Sequence, residues 1–225
     1  GKTKTLTTRI AHIIETGISG EHILAVTFTN KAAGEMRERV HKILEEKNID
    51  SIKLPVVKTF HSLGVYLLRR HSELLGRKNS FTILDEGDVL SIVKDSVKAE
   101  GLDPKQYEPK MIRSIISREK GNFVDVESYS NSADSGLEHM IASIWRRYEK
   151  VLEKEHCYDF DDLLLKSVKL LSQHANIRDL YRKRFTHILV DEYQDINNVQ
   201  YELTKLLVGE SKNICVVGDT DQNIY

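Results

Sequence analysis

Short apolar segments alternate with amphipathic helical segments at both ends of the chain. Ile23–Phe28 and His187–Asp191 are mostly apolar and lack the polar alternation of a strand that has one face in water. Helical periodicity follows in Asn30–Glu46, where Met36, Val40 and Leu44 recur on one side. Buried strands separated by helices form parallel sheets with crossover helices. The sequence therefore predicts an α/β fold built on a parallel sheet.

This alternation stops between about residues 82 and 156. Three helical segments follow one another there without a convincing strand: Asp85–Ala99, a segment that starts at Pro109, and a segment that contains Ile144 and Tyr148. The polar stretch Ser128–Gly136 consists of turn-forming residues and predicts a loop. We therefore expect an inserted all-helical subdomain within the α/β domain.

The composition excludes several classes of protein. With 40% apolar and 30% charged residues the chain is of the globular type, and its apolar runs are far shorter than the roughly 20 residues of a membrane span. Two cysteines and the lack of a secretory signal favour the reducing cytoplasm. The net charge is −1, but residues 1–80 hold 14 Lys and Arg against 8 Asp and Glu. This basic excess can attract phosphates, although solvated helix surfaces would explain it equally well.

Gly1-Lys2-Thr3 stands at the start of a helical segment and matches the end of a phosphate-binding loop. Backbone N–H groups at a helix start favour anions, lysine neutralises phosphate, and threonine can bind Mg²⁺. The tripeptide alone is weak evidence. The strand and the first glycine of such a loop would lie upstream of Gly1.

Two carboxylates, Asp191 and Glu192, follow the apolar strand His187–Val190. Ligands of open α/β sheets bind at the carboxyl ends of the strands, where an aspartate can hold Mg²⁺ and a glutamate can activate water. The same acids could instead cap the next helix. Gln222, after the apolar segment Asn213–Val217, is a candidate contact to a γ-phosphate.

Two segments place an aromatic ring among hydroxyl and basic groups at a strand end. They are Thr27-Phe28-Thr29-Asn30-Lys31 and Thr59-Phe60-His61-Ser62. A nucleic-acid base can stack on an exposed ring while the polar groups hold phosphates. Phe28 and Phe60 could also be ordinary core residues, but their shared place at one sheet edge favours a nucleic-acid interface.

Six ordered segments resemble the motifs of UvrD/PcrA/Rep-type DNA helicases of superfamily one, in their N-terminal half. The matching segments are Gly1–Thr3, Thr27–Met36, Thr59–Gly64, Asp159–Leu164, Val190–Asn197 and Gly218–Tyr225. The resemblance covers the whole chain. Asn223 stands where the family usually has serine, and Lys4 where it often has arginine.

This resemblance implies a RecA-like P-loop NTPase sheet formed by residues 1–81 and 157–225, with an inserted helical domain at 82–156 that touches duplex DNA. It implies an enzyme that uses ATP and Mg²⁺ to move 3′ to 5′ on single-stranded DNA and to unwind duplexes in repair or replication. Implied partners are a C-terminal RecA-like half and repair or replication proteins, with no membrane, in the cytoplasm and nucleoid of a bacterium. A piece of 225 residues is expected to be inactive alone.

The resemblance also implies the functional residues. Those at the ATP site are Gly1, Lys2, Thr3, Lys4, Asp191, Glu192 and Gln222, with Thr3 and Asp191 at the metal and Lys2, Glu192 and Gln222 in catalysis. Those along the DNA are Thr27, Phe28, Thr29, Asn30, Lys31, Thr59, Phe60, His61 and Tyr225.

Three alternatives remain open on the sequence. A helicase subunit of a helicase–nuclease complex would share all of these motifs. A kinase or an ABC-type ATPase would share Lys2, Thr3, Asp191 and Glu192 but has no need for the two aromatic segments. A non-catalytic scaffold with this fold would tolerate loss of Lys2 or Glu192, and both are present.

Overall fold

The structure, a computed structural model, describes residues 1–49 and 53–219. The described residues form two compact units. The first comprises residues 1–64, 171–196 and those from 200 onward, and the second comprises residues 65–170 and 197–199.

The first unit contains a four-stranded sheet in the order β2-β1-β5-β6, in which every strand pair is parallel. The six strands of the described chain are β1 (Ile23–Thr27), β2 (Val56–Thr59), β3 (Thr82–Ile83), β4 (Cys157–Tyr158), β5 (His187–Val190) and β6 (Ile214–Val216). The predicted parallel α/β sheet is confirmed.

Helices connect these strands. They are α1 (Lys2–Glu15), α2 (Asn30–Glu46), α3 (Phe60–His71), α4 (Glu86–Ala99), α5 (Pro109–Gly121), α6 (Val126–Asn131), α7 (Gly136–Lys154), α8 (Asp162–Gln173), α9 (Ala175–Arg184) and α10 (Asn198–Val208). Short 3₁₀ turns occupy Gly20–His22, Ser72–Leu75, Tyr193–Asp195 and Gly209–Ser211. Among the described residues, no helix is both long and apolar enough to cross a membrane.

The core of the first unit lies between the sheet and helices α1 and α2. All five residues of β1 are buried, as the continuous apolar run predicts. Ile10 of α1 and Met36 of α2 lie in the same apolar cluster as Ile23 of β1. Gly20 allows a close backbone approach just before β1, because a Cβ there would lie 2.1 Å from the carbonyl oxygen of Lys53. This packing holds the carboxyl ends of the strands in a fixed register.

The second unit is mainly helical, and its core surrounds α7. Trp145 and Tyr148 of α7 are fully buried against Val93 of α4 and Ile116 of α5. The predicted insertion of a mainly helical region is therefore confirmed. Strands β3 and β4, which the sequence did not predict, form a separate parallel pair in this unit. Each has two residues, too few for a recognisable pattern.

The predicted loop at Ser128–Gly136 is wrong in its first part, because helix α6 extends to Asn131. The Asp125 side chain caps this helix by accepting the Ser128 N–H at 2.9 Å. Tyr129 packs against Trp145 with ring centroids 5.5 Å apart. This tertiary contact outweighs the weak helix propensity of the serines and asparagine.

Candidate nucleotide and nucleic-acid site

The start of α1 places Lys2 and Thr3 beside the carboxyl end of β5. Gly1 is the N-cap of α1, and its carbonyl accepts the N–H of Lys4 at 3.0 Å and of Thr5 at 3.3 Å. The first turn has no acidic residue and no side-chain cap. Its N–H groups therefore form a positive helix end suited to an anion.

Glu192 has a left-handed backbone conformation, which is unusual for a residue with a side chain. Its φ is 48°, and the residues on either side of it each donate one backbone hydrogen bond to an adjacent strand segment. Asp191 N–H donates to Val26 of β1 at 2.9 Å, and Tyr193 N–H donates to Val217, just beyond β6, at 2.9 Å. After β5 the chain therefore changes partner at Glu192, from β1 on one side to the segment after β6 on the other. Such strain is typical of functional sites.

Two side-chain pairs join α1 to the end of β5. Lys2 Nζ donates to Glu192 Oε2 at 2.5 Å, and Thr3 Oγ1 donates to Asp191 Oδ2 at 3.4 Å. The four residues predicted at the ATP site from both ends of the chain are therefore brought together. Asp191 is buried, whereas the Lys2 and Glu192 side chains are 24% and 35% exposed.

The pKa values of the site residues are shifted in different directions. The hydrogen bond to Glu192 raises the pKa of Lys2. Hydrogen bonds from Gln194 and then from Lys2 lower the pKa of Glu192. Burial raises the pKa of the Asp191 carboxyl. Lys2 and Glu192 thus form an ion pair that remains accessible to solvent.

Gln194 is a site residue that sequence reasoning missed. Its Nε2 donates to Glu192 Oε2 at 2.8 Å, and its Oε1 accepts the Asp219 N–H at 3.0 Å. Gln194 therefore connects the glutamate to the segment after β6. It lies inside the matched motif Val190–Asn197, but only its spatial position indicates this role.

The donor set at α1 and β5 fits Mg²⁺. Thr3 Oγ1 and the Asp191 carboxylate offer hard oxygen ligands next to a helix start suited to phosphate. Mg²⁺ is commonly held by one or two carboxylates together with substrate phosphates and water. No cluster of three or more His, Cys, Asp or Glu side chains that could hold a metal occurs among the described residues.

The two predicted aromatic segments meet at the same sheet edge. β1 and β2 pair with Thr27 opposite Thr59, so the residues that follow them are neighbours. Phe28 and Phe60 form an edge-to-face pair with ring centroids 5.7 Å apart. Phe28 is half-buried, but Phe60 is only 2% exposed and is the first residue of α3. Phe60 therefore has no ring face for a base, and we retain only Phe28 as a stacking candidate.

The polar groups of these segments divide into internal and exposed ones. Thr29 Oγ1 caps α2 by accepting the Ala32 N–H at 3.1 Å, and Thr59 Oγ1 accepts the Ser62 N–H at 3.1 Å at the start of α3. Thr27 and Thr59 are buried, while Thr29, Asn30 and Lys31 are exposed.

His61 lies in the first turn of α3 and is half-buried. Burial lowers the pKa of His61 to about 4. At neutral pH this imidazole is therefore uncharged. It can offer a hydrogen bond to a phosphate, but not a positive charge.

Gln222 and Tyr225 lie outside the described residues. Their assignments at the γ-phosphate and on the DNA remain predictions. Lys4 is exposed in the first turn of α1 and follows Thr3 directly. Its contact with a nucleotide also remains a prediction.

A lysine and a threonine at a helix start, facing an Asp–Glu pair after a parallel strand, define a nucleotide-binding domain of the P-loop class. Residues 1–225 match the family model described as UvrD/REP helicase N-terminal domain. The chain therefore belongs to the UvrD/REP helicase family.

Two similar proteins are both called "ATP-dependent DNA helicase PcrA". The proteins from Staphylococcus aureus strain Mu50 and Staphylococcus epidermidis strain RP62A are each 40% identical to this chain over 226 aligned positions. Each alignment covers 100% of this chain and 30% of the relative. The chain thus spans about a third of the length of these curated relatives.

Proposed function

We propose that this chain is the ATP-binding part of an ATP-dependent DNA helicase that moves 3′ to 5′ along single-stranded DNA and unwinds duplexes. One observation carries the proposal. The Lys2–Glu192 and Thr3–Asp191 pairs lie at the same sheet edge as Phe28 and the start of α2. A nucleotide site and a nucleic-acid site on one rigid sheet can be coupled mechanically. The PcrA relatives support the same activity.

The proposed ATP chemistry assigns a distinct task to each residue. The N–H groups at the start of α1 and the Lys2 ammonium bind the phosphates, while Thr3 and Asp191 hold Mg²⁺. The metal would neutralise phosphate charge when bound. Glu192 orients the attacking water and accepts its proton, and a lowered pKa keeps this carboxylate ionised at neutral pH.

Gln194 would hold Glu192 in position, because it bonds to the same carboxylate oxygen as Lys2 does. Phosphates entering the site would compete with Glu192 for the Lys2 ammonium. That competition would free the glutamate for water only when a nucleotide is present. Gln222 is proposed to contact the γ-phosphate.

The proposed DNA track runs over the ends of β1 and β2. The half-buried Phe28 ring would stack a base, and the exposed Asn30 and Lys31 at the start of α2 would hold phosphates. His61 would donate a hydrogen bond as a neutral imidazole. The hydroxyls of Thr29 and Thr59 would mainly keep these helix starts in place.

The remaining parts of the proposal concern the whole protein. The RecA-like domain is assigned to residues 1–81 and 157–225, and the inserted domain at 82–156 is assigned to duplex DNA. A second RecA-like half would supply arginines to the phosphates, a contribution of about 10³ to 10⁵ in rate in related enzymes. We place the protein in the bacterial cytoplasm and nucleoid with repair or replication proteins. A helicase subunit of a helicase–nuclease complex is the alternative.

Glu192→Gln in the full-length protein tests the function. The proposal expects ATP turnover stimulated by single-stranded DNA to fall by about 10²- to 10⁴-fold, because the water loses its proton acceptor. Nucleotide affinity, measured by equilibrium binding, should be retained. Glu153→Gln, an exposed glutamate of α7, is the matched control and should leave turnover unchanged. An unchanged kcat in Glu192→Gln would contradict the assignment.

A further inference from the structure

An open groove of about 740 Å³ lies in the second unit, between α4 and the segment that leads into α5. Residues four apart on a helix share one face, so Lys94 and Lys98 line one wall together. The other wall contains Lys105 and Lys110. The groove is remote in sequence from every residue assigned above to ATP or single-stranded DNA.

The second wall is an ordered turn. The Asp103 carboxylate accepts the Lys105 N–H at 2.9 Å, and the Asp103 carbonyl accepts the N–H groups of Gln106 and Tyr107 at 3.0 and 2.9 Å. Pro104 has a fixed φ, and Pro109 begins α5. The groove is thus preformed, which lowers the entropic cost of binding.

The rim of the groove is positively charged, and its lysines form few salt bridges. Within residues 1–49 and 53–219, Lys94, Lys105 and Lys110 take part in no salt bridge, and Lys98 has only an exposed contact with Asp95 at 3.4 Å. Lys110 lies in the first turn of α5, where the helix dipole disfavours a cation, and no side chain caps that helix. An anionic ligand would pair with these lysines and offset the unfavourable position of Lys110. Asp103 and Glu108 also line the groove, so the lysines retain the excess charge.

The floor of the groove is apolar. Leu90, Pro104 and Pro109 are each half-buried and contribute to its lining. A DNA backbone has no apolar side chains to place on such a floor. Residues 81–158 hold 11 Lys and Arg against 15 Asp and Glu, so the basic rim lies within a segment that has an acidic excess. A short ligand fits such a local basic rim better than a long polyanion does.

We propose that this groove docks an acidic, partly apolar peptide segment of a partner protein. The apolar side chains of the segment would lie on Leu90 and the two prolines, while its carboxylates would meet the lysines of both walls. This interaction adds a recruitment surface to the helicase and does not depend on the ATP or single-stranded DNA assignments.

Fluorescence anisotropy on the full-length protein tests the proposal with a labelled peptide that alternates aspartate and leucine. The double variant Lys94→Glu/Lys98→Glu should weaken binding of this peptide by about tenfold or more, since two exposed ion-pair positions become repulsive. Lys154→Glu, an exposed lysine at the end of α7, is the matched control and should bind as the native protein does. Melting curves confirm that all variants are folded.

Two further probes separate the possible occupants. A peptide in which serine replaces leucine has the same charge, and it should bind several-fold more weakly if the apolar floor takes part. Equal binding of the two peptides would overturn the proposal, because it would indicate a non-selective basic patch. Failure of the aspartate–leucine peptide to bind would overturn it too, as would loss of duplex DNA binding alone in the double variant. DNA-stimulated ATP turnover of the variant, measured in parallel, reports separately on the proposed helicase function.

Discussion

Two lysine–carboxylate clusters in this chain use the same chemical groups in opposite ways. At the proposed nucleotide site, Lys2 pairs with Glu192, and both side chains reach solvent. In the second unit, Lys120 is 1% exposed and contacts Glu149 and Asp159 at 2.7 Å and Asp162 at 3.0 Å. Lys2 and Glu192 can exchange each other for a ligand from solvent, whereas Lys120 is enclosed by its three carboxylates and cannot reach a ligand.

The pKa values of the buried cluster around Lys120 are also strongly shifted. Burial acts to lower the pKa of Lys120, but the three carboxylates raise it well above its usual value. Burial, with Asp159 nearby, raises the pKa of Asp162 to about 6. Tyr148 donates to Asp159 at 2.7 Å and completes the network. Charges so enclosed stabilise the fold only while the whole set is intact.

Replacing each lysine by methionine should separate the two clusters most clearly. Lys120→Met removes the cation closest to Glu149, Asp159 and Asp162, of which the two aspartates are buried, and we expect the free energy of unfolding to fall by about 3–5 kcal/mol. Lys2→Met should leave the unfolding transition unchanged and abolish tight ATP binding. Denaturant unfolding and nucleotide binding, measured on both variants, check this. A loss below about 1 kcal/mol in Lys120→Met would contradict the structural role of the cluster.

Should Lys120→Met fail to fold, Lys166→Met is the milder variant. Lys166 is 18% exposed and lies 3.6 Å from Glu149 and 3.8 Å from Asp162. Its removal should give a smaller loss of stability in the same direction.

The same contrast between buried and accessible groups applies to the two phenylalanines. Phe28→Ala should weaken single-stranded DNA binding by about 1–3 kcal/mol, because a stacking surface is lost. Phe60→Ala should instead lower stability by about 3–5 kcal/mol through a cavity, with DNA affinity retained per folded molecule. Filter binding or anisotropy, combined with unfolding curves, distinguishes them. The reverse result would show that Phe60 is the ring exposed to DNA.

Sequence alone predicts the parts of this molecule that depend on local patterns. β1 and β5 were predicted because their apolar residues are continuous, and Asp191 and Glu192 because they follow directly after one of these strands. The burial of Phe60 could not be predicted, since it depends on the register between Thr27 and Thr59. The link from Gln194 to Asp219 and the Lys120 network likewise join residues far apart in sequence. Such contacts exist only once the chain has folded.

Acid pH should reveal a half-buried histidine beside the proposed DNA track. The pKa of His61 is about 4 in the folded state, below the ordinary value of 6.5, so between these values the unfolded chain binds more protons. Its contribution to stability is complete above pH 6.5 and is lost as the pH falls towards 4, with a slope of at most about 1.4 kcal/mol per pH unit.

His61→Gln should flatten the dependence of the free energy of unfolding on pH in that window. His139→Gln, at an exposed histidine of α7, is the control and should keep the native slope. An unchanged slope in His61→Gln would mean that His61 is more accessible to water than the structure indicates.

The smallest effect concerns the two threonines that cap α2 and α3, where the sequence predicted phosphate contacts. In the structure both hydroxyls accept backbone N–H groups, Thr29 from Ala32 and Thr59 from Ser62. Thr29→Ala should therefore lower stability by about 1 kcal/mol, as loss of a helix cap does. DNA affinity should change little, because the exposed Asn30 and Lys31 remain. Thr29→Ser is the matched variant that restores the cap, and unfolding curves should show recovery. If alanine weakens DNA binding, serine restores it and stability is unchanged in both variants, the Thr29 hydroxyl contacts the phosphate directly instead of capping α2.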